Sequence, residues 1–94
     1  MFSQSRIMKI NKVLTVLRFT PQVKDEGYYM VFDNHVPVYH LHFTVQNIHT
    51  SLFELPEILH QSTKIVNDLV DVNSELVWYS HDLQSHELEL RFKI

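Results

Sequence analysis

The fold of this chain is decided by residues 28–46, which read YYMVFDNHVPVYHLHFTVQ. In the second half of this stretch, apolar side chains alternate strictly with polar ones: Tyr39, Leu41, Phe43 and Val45 against His40, His42, Thr44 and Gln46. Such alternation predicts a β-strand with one buried face. Turn-forming residues at Asp33 and Asn34 precede this strand, so the stretch predicts a β-hairpin.

The register of this hairpin decides which side chains share a face. We predict that Tyr29 pairs with Leu41 and that Val31 pairs with Tyr39. The opposite face then gathers six side chains, which form the candidate protein-binding surface: Tyr28, Met30, Phe32, Val38, His40 and His42. Both faces of the hairpin are partly apolar in this register, and a single helix can cover only one of them.

A clear amphipathic helix follows the hairpin. Ser51 and Glu54 have the spacing of a capping box, Thr50 is a rival cap, and Pro56 suits a first turn. Apolar residues then recur at helical spacing: Leu55, Ile58, Leu59, Ile65, Val66 and Leu69. This stripe predicts a helix that packs on the sheet and ends near Asn73.

The two ends of the chain supply the remaining strands. Residues 10–20 fit either a helical stripe or a strand, and we predict a strand at residues 12–20 because β-branched and aromatic side chains are frequent there. Gly27, the only glycine, is predicted to close the following loop with a positive φ. Residues 75–80 and 88–94 predict a second hairpin, whose last strand forms an exposed edge.

Together these elements predict one α+β domain over residues 1–94, with residues 1–6 frayed. The domain has an antiparallel sheet of about five strands with one main helix packed on one face, in the order β-β-β-α-β-β.

Composition excludes several classes of protein. The chain contains no cysteine and one glycine, which excludes disulfide scaffolds, thiolate metal sites and glycine-rich phosphate loops. The net charge is −3, and all eleven acids follow residue 24. This distribution argues against nucleic-acid binding, because such proteins usually carry a basic surface. No apolar run is long enough to span a membrane. The lack of cysteine fits a cytoplasmic location, and no cofactor is predicted.

The seven histidines suggest an alternative function. His40 and His42 point to one face of a strand, about 7 Å apart by the strand rise. With His35 or His49 from a loop, they would suit a metal-binding protein or a metal-dependent enzyme. No carboxylate at a fixed spacing completes a ligand set, so we predict no metal. The adjacent residues 80–82, Ser-His-Asp, point apart on a strand and cannot converge as a catalytic triad.

The sequence therefore predicts a small non-enzymatic protein that binds another protein, as an inhibitor, an immunity or anti-defence factor, or an adaptor. It also predicts a homodimer. The strip of Tyr28, Met30, Phe32 and Val38 exceeds the apolar exposure of a typical monomer, and a symmetric copy would bury it.

Overall fold

The computed structural model describes residues 4–51, 53–70 and 74–94. The elements in chain order are α1 (Gln4–Arg18), β1 (Val23–Asp33), β2 (Val36–Val45), α2 (Leu55–Val70), β3 (Glu75–Asp82) and β4 (Glu87–Lys93). The predicted α+β class and antiparallel sheet are confirmed. The order is α-β-β-α-β-β, so the described residues form four strands and two helices, and the predicted fifth strand is wrong.

The sheet has the strand order β1-β2-β4-β3, and every neighbouring pair is antiparallel. Each half of the chain contributes a helix followed by a hairpin, and the two halves meet where β2 pairs with β4. The strand β4 is therefore internal. The predicted exposed edge at residues 88–94 is wrong, because β1 and β3 form the two edges.

Residues 12–20 do not form the predicted strand, because residues 4–18 form α1. The helical stripe in this segment is buried throughout: Ile10, Val13, Leu14 and Leu17. Burial of one complete helix face outweighs β propensity, which depends strongly on context. Of the residues predicted to be frayed, 4–6 belong to α1, and 1–3 lie outside the described residues.

The β1–β2 hairpin is present, but its predicted register is wrong by one residue. Tyr28 pairs with Leu41, and Met30 pairs with Tyr39. The loop consists of Asn34 and His35 alone, with φ angles of 49° and 65°. Two positive φ angles are typical of a type I′ turn, whose twist matches that of paired strands. A slip of one residue moves every side chain of β1 to the other face.

A bulge between Lys24 and Gly27 interrupts the pairing of β1. The positive φ in this region, 53°, belongs to Asp25, so the prediction of a positive φ at Gly27 is wrong. Gly27 lies within the strand. Beside the bulge, Arg18 Nε donates to Glu26 Oε1 at 2.9 Å, which connects the end of α1 to β1.

The predicted amphipathic helix is confirmed as α2, which begins at Leu55 with Pro56 in its first turn. The Glu54 amide donates to the Ser51 carbonyl at 3.1 Å, and Thr50 Oγ1 donates to Glu54 Oε2 at 2.7 Å. The helix thus starts directly after Glu54, later than a capping box at Ser51 requires. The predicted end at Asn73 lies outside the described residues.

The core lies between the two helices and one face of the sheet, which we call the covered face. The helices contribute their buried apolar side chains, and β2 and β4 contribute Leu41, Phe43, Leu88, Leu90 and Phe92. The rings of Phe43 and Phe92 stack with their centroids 5.9 Å apart. In the described part of the chain, neither helix has the length and apolar character needed to cross a membrane.

Candidate functional site

The opposite face of the sheet, which we call the open face, carries the most unusual side chains in the molecule. Along β4, burial alternates, so that Leu88, Leu90 and Phe92 are buried while Arg91 and Lys93 are partly exposed on the other side. The strand pairings place Arg91 beside His42 on β2 and beside Trp78 on β3. The centre of the open face therefore combines cations with an aromatic ring.

Arg91 and Trp78 form a stacked pair at this centre. The guanidinium carbon of Arg91 lies 4.6 Å from the centroid of the Trp78 ring, which is cation–π geometry. A bulge in β3 between Leu76 and Trp78 shifts the register. Leu76 packs against the core, whereas Trp78 stays 41% exposed.

Tyr29 and His40 form a second ring pair next to this stack. They pair across β1 and β2, and their ring centroids are 5.3 Å apart. The next open-face position on β1 is Gly27, which is opposite His42 and has no side chain. A β-carbon added there would meet no atom within 4 Å. At this position of β1, no side chain covers the sheet beside His42.

Several polar atoms on this face are buried without a hydrogen-bond partner among the described residues. They are Nδ1 of His40, Nδ1 of His42 and Nε of Arg91. Most buried polar groups in proteins are paired, so a cluster of unpaired ones requires an explanation. Water or groups supplied by a binding partner would satisfy these atoms.

The electrostatics of His40 reflect the same surroundings. Burial lowers the pKa of the His40 imidazole, and the positive charges of Lys93 and then Arg91 lower it further. Protonation would place a third cation beside two existing ones. His40 is therefore neutral at neutral pH.

The acidic groups at the other end of the open face already have partners. Lys24 Nζ contacts Glu87 Oε2, and this hydrogen bond is the largest cause of the lowered pKa of Glu87. Asp82 Oδ1 accepts hydrogen bonds from the amides of Gln84 at 2.9 Å and Ser85 at 3.2 Å. These carboxylates are neutralised or hydrogen-bonded within the chain itself.

The central cations are less well compensated. Arg91 has one long contact with a carboxylate, 3.8 Å from its Nη2 to Glu89 Oε1. Lys93 forms no ion pair within the described residues, although Glu75 on β3 is its cross-strand partner. The centre of the open face thus has unused capacity to bind an anion.

The structure does not bring the six predicted site residues together. Val38, His40 and His42 lie on the open face, whereas Tyr28, Met30 and Phe32 share the side of Tyr39 and Leu41, because β1 has the other register. The sequence prediction also missed three central residues of the open face: Tyr29, Trp78 and Arg91. The alternation of β4 was sufficient to place Arg91 opposite the buried leucines.

The end of the β1–β2 hairpin, residues 30–38, extends beyond the last pair between β2 and β4, which joins His40 and Lys93. We call this segment the hairpin tip. It exposes apolar side chains on both of its faces, with Met30 47%, Phe32 65% and Val36 58% exposed. A shallow depression of about 380 Å³ lies between the tip and β3, and Val31, Val38 and Val77 are among its lining residues.

The alternative metal site gains no further ligands. Within residues 4–51, 53–70 and 74–94, no group of three or more histidine, aspartate and glutamate side chains is placed to hold a metal ion. His49 contacts His86 rather than the two strand histidines, with the ring centroids 4.1 Å apart. In β3, Ser80 and Asp82 pair with open-face residues, whereas His81 pairs with buried Leu88, so these three side chains do not converge.

No protein-family model, no curated protein and no solved structure matches this chain. These comparisons therefore assign no role to the open face.

Proposed function

We propose that this chain is a non-enzymatic protein-binding domain and that the open face of its sheet is the binding surface. One observation carries the proposal: Arg91 is stacked on Trp78 at 4.6 Å on a sheet face that neither helix covers. Tryptophan, tyrosine and arginine are enriched among the residues that dominate the binding energy of protein interfaces. Tyr29 places the third of these residue types on the same face.

The partner in this proposal is a protein that presents a carboxylate to the centre of the open face. Arg91 Nε lacks an acceptor, and Lys93 lacks an ion pair among the described residues. A carboxylate there would accept charge-assisted hydrogen bonds, which are stronger than neutral ones. Apolar contacts on Trp78 and Tyr29 would exclude water around that ion pair.

An inhibitor, an immunity or anti-defence factor, or an adaptor fits this proposal, because such proteins need recognition and no chemistry of their own. A cytoplasmic location belongs to the same proposal, and the absence of cysteine supports it.

The test is capture from an extract of the native host by immobilised wild type, Trp78→Ala, Arg91→Glu and Phe53→Ala, with retained proteins quantified by mass spectrometry. Phe53 is the matched control because its ring is 95% exposed in the turn before α2. We expect a protein retained by the wild type and by Phe53→Ala but lost from both open-face variants. With that partner purified, Trp78→Ala should weaken binding by about 30-fold, which corresponds to the roughly 2 kcal/mol of a hot spot.

Equal retention of every captured protein by all four chains would remove the open face from the interface. Loss of binding in Phe53→Ala alone would move the interface to the turn before α2.

We also propose a homodimer, in which the hairpin tips of two copies bury Met30 and Phe32 against each other. Their exposure, 47% and 65%, supports a symmetric contact, since the same apolar patch on a second copy of the chain can cover it. Sedimentation at micromolar concentration should give a dimer for the wild type and a monomer for Met30→Glu/Phe32→Glu. A wild-type monomer of 11.2 kDa at that concentration would rule out the dimer.

A further inference from the structure

A cavity of about 480 Å³ opens on the other side of the sheet, between α1, α2 and the covered face. Small-molecule sites in proteins commonly have volumes of roughly 300–1,000 Å³. The lining is mainly apolar and comes from three layers, with Val16 and Leu17 on α1, Ile58, Ile65 and Leu69 on α2, and Phe43 on the sheet. The cavity is thus an apolar site with walls from α1, α2 and the sheet, and it lies on the side of the sheet opposite the open face.

The cavity exists because α2 buries only part of its apolar stripe. Val66 is 2% exposed, but Ile65 is 57% exposed, and Ile58 and Leu69 are half-buried. In α1, by contrast, all four stripe residues are buried. The apolar surface that α2 leaves uncovered faces the cavity, and an apolar occupant would remove it from water.

The two hydroxyl groups that line the cavity are already hydrogen-bonded. Ser62 Oγ donates to the Ile58 carbonyl at 2.8 Å, and Thr20 Oγ1 donates to the Val16 carbonyl at 3.4 Å. Gln61 Nε2 donates to Glu57 Oε1 at 3.2 Å, and Gln22 supplies the remaining polar side chain of the lining. A water molecule needs two to four polar partners, so this lining offers few of them.

The lining also determines the charge of an occupant. None of the described residues that line the cavity is charged. A carboxylate or phosphate placed inside would lose its hydration without gaining a counter-ion. An uncharged molecule has no such cost.

We propose that this cavity binds an uncharged, largely hydrocarbon small molecule. The site lies on the opposite side of the sheet from the open face. The proposal therefore does not depend on the proposed protein binding, and either can fail alone.

The first test uses a neutral environment-sensitive dye, N-phenyl-1-naphthylamine, with the full chain. We expect saturable fluorescence enhancement and displacement by decanol about tenfold more effectively than by decanoate at about pH 8, where the carboxylate is ionised. Equal displacement by both compounds, or no saturable binding, would overturn the proposal.

The second test fills the cavity from its wall. Ser62→Phe adds a ring to a residue that lines the cavity, and Lys64→Phe adds the same ring to an exposed residue of α2 outside the lining. We expect dye affinity to fall about tenfold or more in Ser62→Phe and to stay unchanged in Lys64→Phe. Unchanged affinity in both folded variants would contradict the site.

The third test needs no variant. Nuclear Overhauser contacts between decanol protons and the methyl groups of Ile58 and Val66 in the wild type are expected. Their absence at saturating decanol would overturn the proposal. So would chemical shifts at these methyl groups that depend on protein concentration without decanol, because a second copy of the chain would then be the occupant.

Discussion

The two faces of the sheet are built from the same strands but carry opposite kinds of side chain. On β4, Phe92 is fully buried against Phe43, whereas its neighbour Arg91 lies on Trp78 at the surface. The covered face packs apolar side chains against the two helices, and the open face holds cations and imidazoles whose hydrogen-bonding capacity is not fully used. Stability should therefore depend on the covered face and recognition on the open one.

The largest expected effect on stability comes from truncating one side chain on each face of the sheet. Phe92→Ala should lower the free energy of unfolding by about 3–5 kcal/mol, as is typical for a buried phenylalanine. Trp78→Ala should cost distinctly less, because its ring is 41% exposed. Urea denaturation followed by circular dichroism measures both changes. Equal losses of unfolding free energy at the two positions would mean that the open face contributes as much to stability as the core.

A smaller effect is expected on α2, which lies on the covered face. Leu69 packs partly against the core, and Gln61 is exposed, where its Nε2 donates to Glu57 Oε1 at 3.2 Å. Leu69→Ala should lower the free energy of unfolding by about 2 kcal/mol, the low end for leucine because the site is only half-buried. Gln61→Ala should change it by less than about 0.5 kcal/mol. A larger loss of stability from Gln61→Ala than from Leu69→Ala would mean that α2 packs on the sheet through the face that carries Gln61.

The sequence predicts the elements whose pattern has a single period. The strands β2 and β4 alternate strictly, and α2 has a clear apolar stripe, so all three are confirmed. Residues 28–32 are apolar at every position, so no alternation in β1 fixes its register. The turn fixes it instead, through positive φ angles at Asn34 and His35. Asn-Gly is a strong sequence signal for such a turn, whereas Asn-His is not.

The sequence does not predict the open-face site for related reasons. Trp78 reaches the open face because of a bulge between Leu76 and Trp78, and a bulge changes the side of every later residue without a sequence signature in this segment. Residues 10–17 carry both a helical apolar stripe and a composition that favours a strand, and burial of the stripe decides for the helix. Local preference is weak evidence where a complete apolar face is available for burial.

The smallest expected effect is a pH dependence that belongs to the open face alone. The pKa of His40 is lowered by burial and by Lys93 and Arg91, while an unfolded histidine titrates near about 6.5. The folded state thus binds fewer protons than the unfolded state around this pH. The free energy of unfolding should therefore be highest above the unfolded pKa and should fall as pH drops through it, until His40 also protonates in the folded state.

The measurement is urea denaturation between about pH 7.5 and 5.5, on either side of the ordinary histidine pKa. His40→Gln should flatten the decline in stability, and His35→Gln, in the exposed hairpin turn, should leave it in place. The change should be smaller than either core truncation, since His40 is only half-buried and solvent screens its neighbours' charges. An identical slope in wild type and His40→Gln would show that the cations of the open face do not act on this imidazole.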